Sequence, residues 1–478
     1  MASIILNYNI TLEEIAGIKG DYANFYEKEK RNSCFALVFK KDEHEIIAMR
    51  DHLGIVPLFY RFDKGEVNFS TNFSDLVKEN DRISEKGLRC YLAHKTPTLY
   101  SLVEEVKIVP PGSAIRINLK EKTVTLLYQF FFKQQPRLSI NLDEIIEKYD
   151  KLMLQAIKRV LKEETVGLYL SGGMDSGLLG IYLKKAGAKI NAYTSAPWGM
   201  KGTEVSFAER NAQAIGVENH VIIPLDTSKY KEHLKTIPEV FRTINGLNNT
   251  IGVVNLWKDT EISKEKQIFG AQNADTMLCS MPHQYYVYFL SWLPVFLKKK
   301  IHPSFKHADA LSDYIDYCTH GIEDQQPDHF NYSSKDFSKI SYLTLAGMYI
   351  GHTPPDGAVL AVPAISKNIA YGNPFYDIDL IEWSMRVPLK YRLGLSGESK
   401  IKLGINKTVI RKLALKYLPK ELVYRKKGFV IPMERDENTR RVVEMLPKSI
   451  NNFKLRATDE RIAAYILMNW CEKYGIKY

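Results

Sequence analysis

The residues best suited to chemistry form one short segment, Ser-Gly-Gly-Met-Asp-Ser at positions 171–176. Gly172 and Gly173 allow the backbone to turn tightly and to approach an anion closely. The free N–H groups at the start of a following helix favour negative charge at the same place. Ser171 and Ser176 carry hydroxyl groups that can donate hydrogen bonds to phosphate oxygens. The segment therefore predicts a loop that binds a phosphate or a pyrophosphate.

Asp175 would repel a bare phosphate, so its natural role is to hold a Mg²⁺ ion that bridges to the phosphate. No lysine follows Gly173 as a Walker loop would require, and the spacing is not Gly-x-Gly-x-x-Gly. The pattern thus excludes the usual kinase, GTPase and dinucleotide signatures. An ordinary turn that caps a helix is the structural alternative.

The flanking sequence predicts the elements that position this loop. Short apolar runs alternate with segments of helical periodicity, and the two helices after the loop end before Gly187 and Gly216. We expect strands at 166–170, 190–194, 220–223 and 267–270, and helices at 145–161, 177–186 and 204–215. Such alternation is typical of a doubly wound parallel sheet, in which ligands bind beyond the carboxyl ends of the strands. Position 171 lies at one such end.

The first part of the chain has a different pattern. From Cys34 to Arg61, apolar and polar residues alternate around turn sequences, and further strands are predicted at 67–70, 114–118 and 124–128. This is the pattern of an antiparallel sheet. A polar linker at 132–141 then suggests two domains, at 1–135 and 145–478, within an α/β protein.

Composition restricts the function classes. The chain has 478 residues and a formal net charge of +11, but the basic residues are spread along its length, which favours solvated lysines over a nucleic-acid surface. Its five cysteines lie far apart, so neither structural zinc nor a disulfide framework is expected. We see no secretory signal and no apolar run long enough for a membrane span, and we expect a cytoplasmic protein without membrane contact.

The segment at 171–176 resembles the pyrophosphate loop of the asparagine synthetase-like enzymes, which belong to a superfamily of ATP pyrophosphatases. Other family motifs follow in order along most of the chain. The segments of this chain that resemble those motifs are Arg-Asp-His-Leu-Gly-Ile-Val-Pro-Leu-Phe-Tyr at 50–60, Val-Pro-Pro-Gly at 109–112, Asn-Pro-Phe-Tyr-Asp at 373–377, Lys407 with Arg411, and Arg-Lys-Lys-Gly-Phe-Val-Ile-Pro at 425–432. The resemblance implies a glutaminase-like (Ntn-type) first domain and an ATP-binding ligase domain with a helical C-terminal part.

The resemblance also implies roles for individual residues. The loop, including Ser171, Asp175 and Ser176, would bind the pyrophosphate of ATP while a substrate carboxylate attacks the α-phosphorus. Asp175 and Asp275 would hold Mg²⁺. Lys426 would be aimed at the adenylate and the tetrahedral intermediate, where charge accumulates, although the adjacent Lys427 would take this place if the motif were shifted by one residue.

Three departures from the family pattern stand out. Residue 2 is Ala where glutamine-dependent members carry a nucleophilic cysteine, and only about 30 residues precede the strand expected at Cys34, so we expect a degenerate first domain without glutaminase activity. At 270–275, Ala271 and Asn273 replace glycines and Gln272 replaces a Glu or Tyr. An amide cannot accept a proton at neutral pH. The third departure, at 353–357, predicts a rigid turn.

No residue in the sequence stands out as the missing general base. The candidates are Asp377, Glu382 and His352, and for each of them a structural role is the simpler interpretation. The segment from about 281 to 365 is left for substrate specificity by elimination.

The predicted function is an ATP-dependent carbon–nitrogen ligase that forms AMP and diphosphate and joins a carboxylate to an amine carried by a substrate. The amine could belong to the same substrate, as in β-lactam synthetases and lasso-peptide cyclases, in which case a leader peptide or a biosynthetic protein would be a partner. The alternatives are an ammonia-dependent synthetase, a tRNA-modifying ATP pyrophosphatase and a non-catalytic nucleotide-binding module. The absence of a Cys-x-x-Cys pair and the asparagine synthetase-like first segment argue against tRNA modification.

Overall fold

The computed structural model describes residues 4–6, 18, 20–29, 34–97, 100–132, 135–196, 203–225, 229–247, 250–257, 262–278, 353–392, 407–424 and 458–477. In these ranges the chain is α/β, as predicted. Two antiparallel sheets come first and a parallel sheet flanked by helices follows.

The first part of the chain forms the antiparallel sheets. Its strands are β1 Ile4–Leu6, β2 Ala36–Lys40, β3 Glu45–Arg50, β4 Phe59–Asp63, β5 Glu66–Ser70, β6 Lys107–Ile108, β7 Ser113–Asn118 and β8 Thr123–Gln129. One sheet has the order β1-β2-β3-β7-β8 and the other has the order β5-β4-β6. Helices α1 Tyr22–Lys28 and α2 Glu85–His94 accompany them. The alternation seen in the sequence is therefore confirmed as antiparallel pairing.

The second part is built on a parallel sheet of five strands. They are β9 Thr165–Tyr169, β10 Lys189–Ala196, β11 Asn219–Pro224, β12 Gln267–Phe269 and β13 Ala370–Gly372. Their spatial order is β11-β10-β9-β12-β13, and every neighbouring pair is parallel. The order reverses between β9 and β12, so the loops after these two strands face the switch point where ligands bind in such sheets.

Helices connect and cover these strands. They are α3 Leu142–Val160, α4 Met174–Lys185, α5 Thr203–Ile215, α6 Tyr230–Lys235, α7 Ile237–Val240, α8 Thr250–Leu256, α9 Ala274–Met277, α10 Thr353–Ser366, α11 Ile378–Met385, α12 Leu389–Arg392, α13 Thr408–Ala414, α14 Lys420–Val423 and α15 Thr458–Tyr474. The predicted left-handed ends are confirmed, with φ of 95° at Gly187 and 71° at Gly216. None of the helices in these described ranges is both long and apolar enough to cross a bilayer.

One expectation from the sequence is wrong. The segment predicted as a rigid turn at 353–357 is the first turn of α10. Proline is tolerated there because the first N–H groups of a helix have no intrahelical acceptor, so Pro354 and Pro355 remove nothing. The apolar residues that follow, from Ala358 to Ile365, are buried and hold the helix against the sheet.

The two parts pack on each other through α15. Trp470 stacks on Phe73 with ring centroids 5.3 Å apart, and Tyr91 donates a hydrogen bond of 2.8 Å to the Ala463 carbonyl. An isolated β-bridge joins Arg82 to Lys477. The first part is thus docked on the second by buried aromatic contacts.

Candidate functional site

The loop at 171–176 is held in shape by its own serines. Ser176 Oγ lies 3.1 Å from the Ser171 carbonyl and 3.2 Å from the Gly173 carbonyl, and it accepts from Ser171 N at 3.2 Å. Ser171 Oγ accepts from Gly173 N at 3.1 Å. The two hydroxyl groups, 3.0 Å apart, therefore fix the loop before any ligand arrives.

Helix α4 starts at this loop without a side-chain cap. Its N-cap residue is Gly173, with an extended φ of −82° and ψ of 152°, which has no side chain to accept a hydrogen bond from the first turn. The first N–H groups of the helix and its positive dipole end are therefore available to an anion. The order of strand, loop and helix is the one expected from the sequence, and phosphate binding at this loop stays a prediction.

Asn211, on α5, supports the same loop and was missed by sequence reasoning. It is fully buried, and its Nδ2 donates to the Ser171 carbonyl at 3.0 Å and to the Gly173 carbonyl at 3.1 Å. Both carbonyl oxygens are thereby held toward α5. The signal was present in the sequence, since position 211 falls between Ala208 and Ala212 at the spacing of the buried helix face.

Close packing makes Gly177 necessary beside this amide. A Cβ atom at Gly177 would lie 2.7 Å from Asn211 Oδ1. The glycine thus allows α4 and α5 to approach closely enough for the amide to reach the loop.

Asp175 lies in the first turn of α4 and forms an ion pair with Lys407. The distance from Lys407 Nζ to Asp175 Oδ2 is 2.5 Å, and the two side chains are only 9% and 16% exposed. The other carboxylate oxygen, Oδ1, is buried and has no hydrogen-bond partner among the described residues. A buried oxygen that accepts no hydrogen bond is energetically costly. Asp175 Oδ1 is therefore well suited to coordinate a cation.

Lys407 reaches Asp175 from the residue that precedes α13. Its backbone is left-handed, with φ of 64°. In the sequence, Lys407 is expected only as part of a family-like helix, without a role in the site. The ion pair brings together two residues that are 232 positions apart.

The opposite ends of α4 and α13 are also joined. Lys185 Nζ donates to Tyr417 Oη at 2.7 Å, and Tyr417 Oη donates to Asp150 Oδ2 at 2.7 Å. Tyr182 donates a short hydrogen bond to the other oxygen of Asp150. Helices α3, α4 and α13 are therefore fastened together behind the site.

The second loop, at 270–273, follows β12 beside the first loop. Asn273 is left-handed with φ of 73°, a conformation that Asn tolerates better than most residues, and its Nδ2 donates to the Phe375 carbonyl at 2.8 Å. Ala271 does not adopt a positive φ. Of the two residues that replace family glycines, only Asn273 is left-handed.

Family models match almost the whole of this architecture. One described as asparagine synthase matches residues 148–465, and one described as a glutamine amidotransferase domain matches residues 27–130. The chain belongs to the asparagine synthase family. The phosphate loop, Asp175, Lys407 and the second loop all lie within the first match.

Curated relatives give the same family at low identity. Asparagine synthetase [glutamine-hydrolyzing] 1 of Bacillus subtilis (strain 168) is 26% identical over 228 residues, which are 46% of this chain and 35% of the relative. A probable asparagine synthetase [glutamine-hydrolyzing] of Acanthamoeba polyphaga mimivirus is 23% identical over 227 residues, 44% of this chain and 37% of the relative. The matched segments thus span little more than a third of these relatives.

One solved structure with a similar segment is the NH3-dependent NAD synthetase from Campylobacter jejuni subsp. jejuni NCTC 11168, in complex with the nitrate ion. The aligned region covers 44% of this chain and 96% of the synthetase chain. Its sequence identity is 14% and its TM-score is 0.22, a likeness too weak to bear on function.

Two residues assigned from the family resemblance stay predictions. Asp275 lies on α9, directly after the second loop, but only its backbone is described. Lys426 lies outside the described residues. The structure therefore brings Asp175 together with Lys407 and leaves the positions of the Asp275 carboxylate and the Lys426 ammonium open.

Asp377, one of the candidate bases, is committed to structure in this member of the family. It caps α11 by accepting from Leu380 N at 3.0 Å and pairs with Arg159. Burial raises the pKa of Asp377, and the nearby Arg159 guanidinium opposes that rise. Glu382 is buried on the same helix, and His352 lies outside the described residues.

The amidotransferase-like part has its family motif buried in structural contacts. Arg50 donates to the carbonyls of Val56, Val109 and Gly54 at 2.6–3.0 Å, and the Asp51 carboxylate accepts three backbone N–H groups. Cys34 is buried, and burial raises the pKa of its thiol well above the usual range. Burial therefore shields the Cys34 thiol and disfavours the thiolate, which is the form of cysteine that acts as a nucleophile.

Proposed function

We propose that this chain is an ATP-dependent ligase that activates a carboxylate as its adenylate and joins it to an amine, releasing AMP and diphosphate. The observation that carries the proposal is the preorganised loop at 171–176 together with Asp175 Oδ1, which accepts no hydrogen bond from the part of the chain that the structure describes. Membership in the asparagine synthase family supports the same reaction class.

The residues of the site suit magnesium-bound ATP. The uncapped start of α4 would bind pyrophosphate oxygens, and Asp175 Oδ1 would accept the Mg²⁺ ion, which takes oxygen ligands and commonly one or two carboxylates besides phosphate. Bound magnesium would neutralise charge on the departing diphosphate. Lys407, whose Nζ lies 2.5 Å from Asp175 Oδ2, would hold this carboxylate in place and add a fixed positive charge beside the bound phosphates.

Asp275 and Lys426 complete the proposal from the family resemblance. Asp275 would supply the second carboxylate for Mg²⁺ from the helix that follows β12, which is the strand next to β9. Lys426 would stabilise the adenylate and the tetrahedral intermediate. Both assignments rest on motif position, and Asp275→Asn and Lys426→Met test them.

The amine is proposed to come with a substrate, in an intermolecular reaction or in a lactam or macrolactam closure. The buried Cys34 and the buried Arg50–Asp51 contacts support a first part that acts in docking rather than in glutamine hydrolysis. Free ammonia as the amine is supported by the family to the same degree. A leader peptide or partner enzyme would then be needed only for a peptide substrate.

ATP–pyrophosphate exchange tests the first half-reaction. Purified protein would be assayed with Mg²⁺ and a panel of proteinogenic amino acids, beginning with L-aspartate, and with peptides encoded beside its gene. Exchange is expected with one carboxylate and should be abolished by Asp175→Asn and strongly reduced by Asp275→Asn and Lys426→Met. Asp143→Asn, the same change at an exposed position on α3, is the matched control and should leave exchange unaltered. Full exchange in Asp175→Asn would disprove the metal assignment.

The source of the amine is tested by product analysis. With the active carboxylate, mass spectrometry would compare amide formation in ammonium chloride, in glutamine and in the carboxylate substrate alone. A product formed without ammonium or glutamine supports a substrate-borne amine, whereas dependence on ammonium supports the synthetase alternative. Glutamate release from glutamine coupled to ATP use would contradict both.

A further inference from the structure

Gln272 lies where the reacting ends of the substrates should meet. It follows β12, and β12 pairs in parallel with β9, with Phe269 opposite Leu168. The loops after both strands therefore leave the same edge of the sheet side by side. Gln272 is partly exposed, so its side chain can reach a ligand.

The Gln272 amide is held at one end by Tyr371. Tyr371 Oη donates to Gln272 Oε1 at 3.2 Å from the neighbouring strand β13. Tyr371 is buried, and burial raises the pKa of its phenol well above the ordinary range, so the hydroxyl keeps its proton and remains a donor. The acceptor end of the amide is therefore occupied.

The backbone around Gln272 is fixed as well. Asn373 Nδ2 donates to the Gln272 carbonyl at 3.1 Å, and Gly270 N donates to the Gly372 carbonyl at 3.1 Å. A Cβ atom at Gly270 would fall on the Tyr371 hydroxyl and would lie 2.8 Å from Gln272 Oε1. The glycine, the tyrosine and the glutamine thus form one fitted group.

We propose that Gln272 is a specificity-determining residue whose amide nitrogen donates a hydrogen bond to an acceptor oxygen of the substrate, the carboxylate being activated or the carbonyl formed from it. Tyr371 is its positioning residue, because it holds Oε1 and so leaves Nε2 to face the ligand. This inference rests on the proposed function. It requires the substrate to present an oxygen acceptor to Gln272 Nε2.

The chemistry of an amide decides between a donor and a base. An amide nitrogen donates hydrogen bonds but accepts no proton at neutral pH, and an ammonium group offers no acceptor to it. A group with oxygen acceptors therefore fits beside Nε2, whereas a positively charged amine does not. The incoming amine is expected to approach from another side of the carboxyl carbon.

The experiment uses hydroxylamine as a general amine that traps an activated carboxylate as a hydroxamate. The full chain is assayed with MgATP, hydroxylamine and each amino acid and peptide of the exchange panel in turn, with coloured ferric hydroxamate as the readout. Gln272→Met removes the donor and should raise the KM for the carboxylate roughly 3–10-fold, the loss expected for one neutral hydrogen bond. Gln272→Glu places a negative charge beside the negatively charged substrate carboxylate and should raise the KM for the carboxylate by at least about tenfold. The KM for ATP should change by less than about twofold in both, since a carboxylate-side contact is all that is lost.

Two further variants separate this role from a structural one. Tyr371→Phe frees the amide to rotate and should raise the KM for the carboxylate in the same direction by a smaller factor, about 2–5-fold. Gln213→Glu carries the same charge change on the exposed face of α5 and should behave as wild type. Thermal unfolding of each variant is measured in parallel.

Each result bears on the inference. Faster hydroxamate formation in Gln272→Glu would mean that the site lacks a base there and would overturn it, as would an unchanged KM or a lowered melting temperature with an unchanged KM. Absence of hydroxamate from wild type with every carboxylate would instead defeat the proposed function, and this inference with it. The two failures are distinguished by whether the wild-type protein is active.

Discussion

The two loops at the switch point of the parallel sheet differ in how they are built. The loop at 171–176 is held by its own serines and by Asn211, and its polar contacts are backbone directed. The loop at 270–273 is held by side chains from β13 and the segment after it, Tyr371 and Asn373. A loop that recognises phosphate always faces the same ligand, which it binds with N–H groups and a cation site. The residues that shape such a loop are therefore restricted. A loop that faces variable substrates can change together with its neighbours.

The largest effect on the first loop is expected from Lys407→Met. Removing the ammonium leaves the Asp175 carboxylate, only 16% exposed, without its partner. Breaking a buried pair in this way costs about 3 kcal/mol or more in unfolding free energy. Separately, loss of the fixed cation beside Asp175 should lower ATP–pyrophosphate exchange about a hundredfold. Lys416→Met, at an exposed position after α13, is the control and should keep full exchange. Normal exchange in Lys407→Met would show that the ion pair is only structural.

Two glycine substitutions should show that the two loops differ in how closely they are packed. Gly270→Ala places a Cβ on the Tyr371 hydroxyl, so we expect a loss of about 1–3 kcal/mol in the free energy of unfolding. Gly173→Ala meets only Ser171 Oγ, at 3.0 Å, with a φ of −82° that alanine accepts, so the loss should stay below about 1 kcal/mol.

The measurement for this pair is chemical denaturation together with nucleotide binding by calorimetry. Gly173→Ala should weaken ATP binding because its methyl group stands where the backbone approaches the phosphates. Equal destabilisation by both substitutions would contradict the contrast between the loops.

A smaller effect is expected from Asn211→Leu. The change removes two hydrogen bonds to the loop carbonyls at nearly constant volume, and we expect ATP affinity to fall about fivefold, equivalent to about 1 kcal/mol. Calorimetry with the non-hydrolysable analogue of ATP gives the dissociation constant. Asn219→Leu, on an exposed end of β11, is the control. An unchanged affinity would mean that the serines alone hold the loop.

The smallest effect should come from Tyr417→Phe. It removes the hydroxyl that joins Lys185 to Asp150 behind the site, at a cost of about 0.5–1.5 kcal/mol in unfolding free energy. ATP affinity should change by less than about twofold, because the loop itself keeps its contacts. A large loss of affinity without loss of stability would show that this cluster positions the nucleotide directly.

Local patterns carried most of the fold. Alternation of strands and helices predicted the parallel sheet, and the glycines at 187 and 216 marked helix ends, because these features depend on neighbouring residues. The turn expected at 353–357 was wrong since two prolines fit equally well in a turn and in the first turn of a helix.

The site was harder to predict wherever it depends on distant pairs. The loop at 171–176 is contiguous, so its residues pointed to phosphate directly. Lys407 and Tyr371 act through partners 232 and 99 residues away, and no local pattern encodes such contacts. Asn211 lay between the two cases, because its polar amide on an apolar helix face was visible although its target was not.

The docking of α15 on the first part of the chain has a consequence for biosynthesis. Tyr91 and Ala463, joined by a hydrogen bond, are 372 residues apart. Closing so long a segment is slow, and the aromatic surface around Phe73 has to wait for Trp470 to emerge from the ribosome. The apolar surface around Phe73 in the nascent antiparallel sheets is therefore left uncovered until α15 has been synthesised.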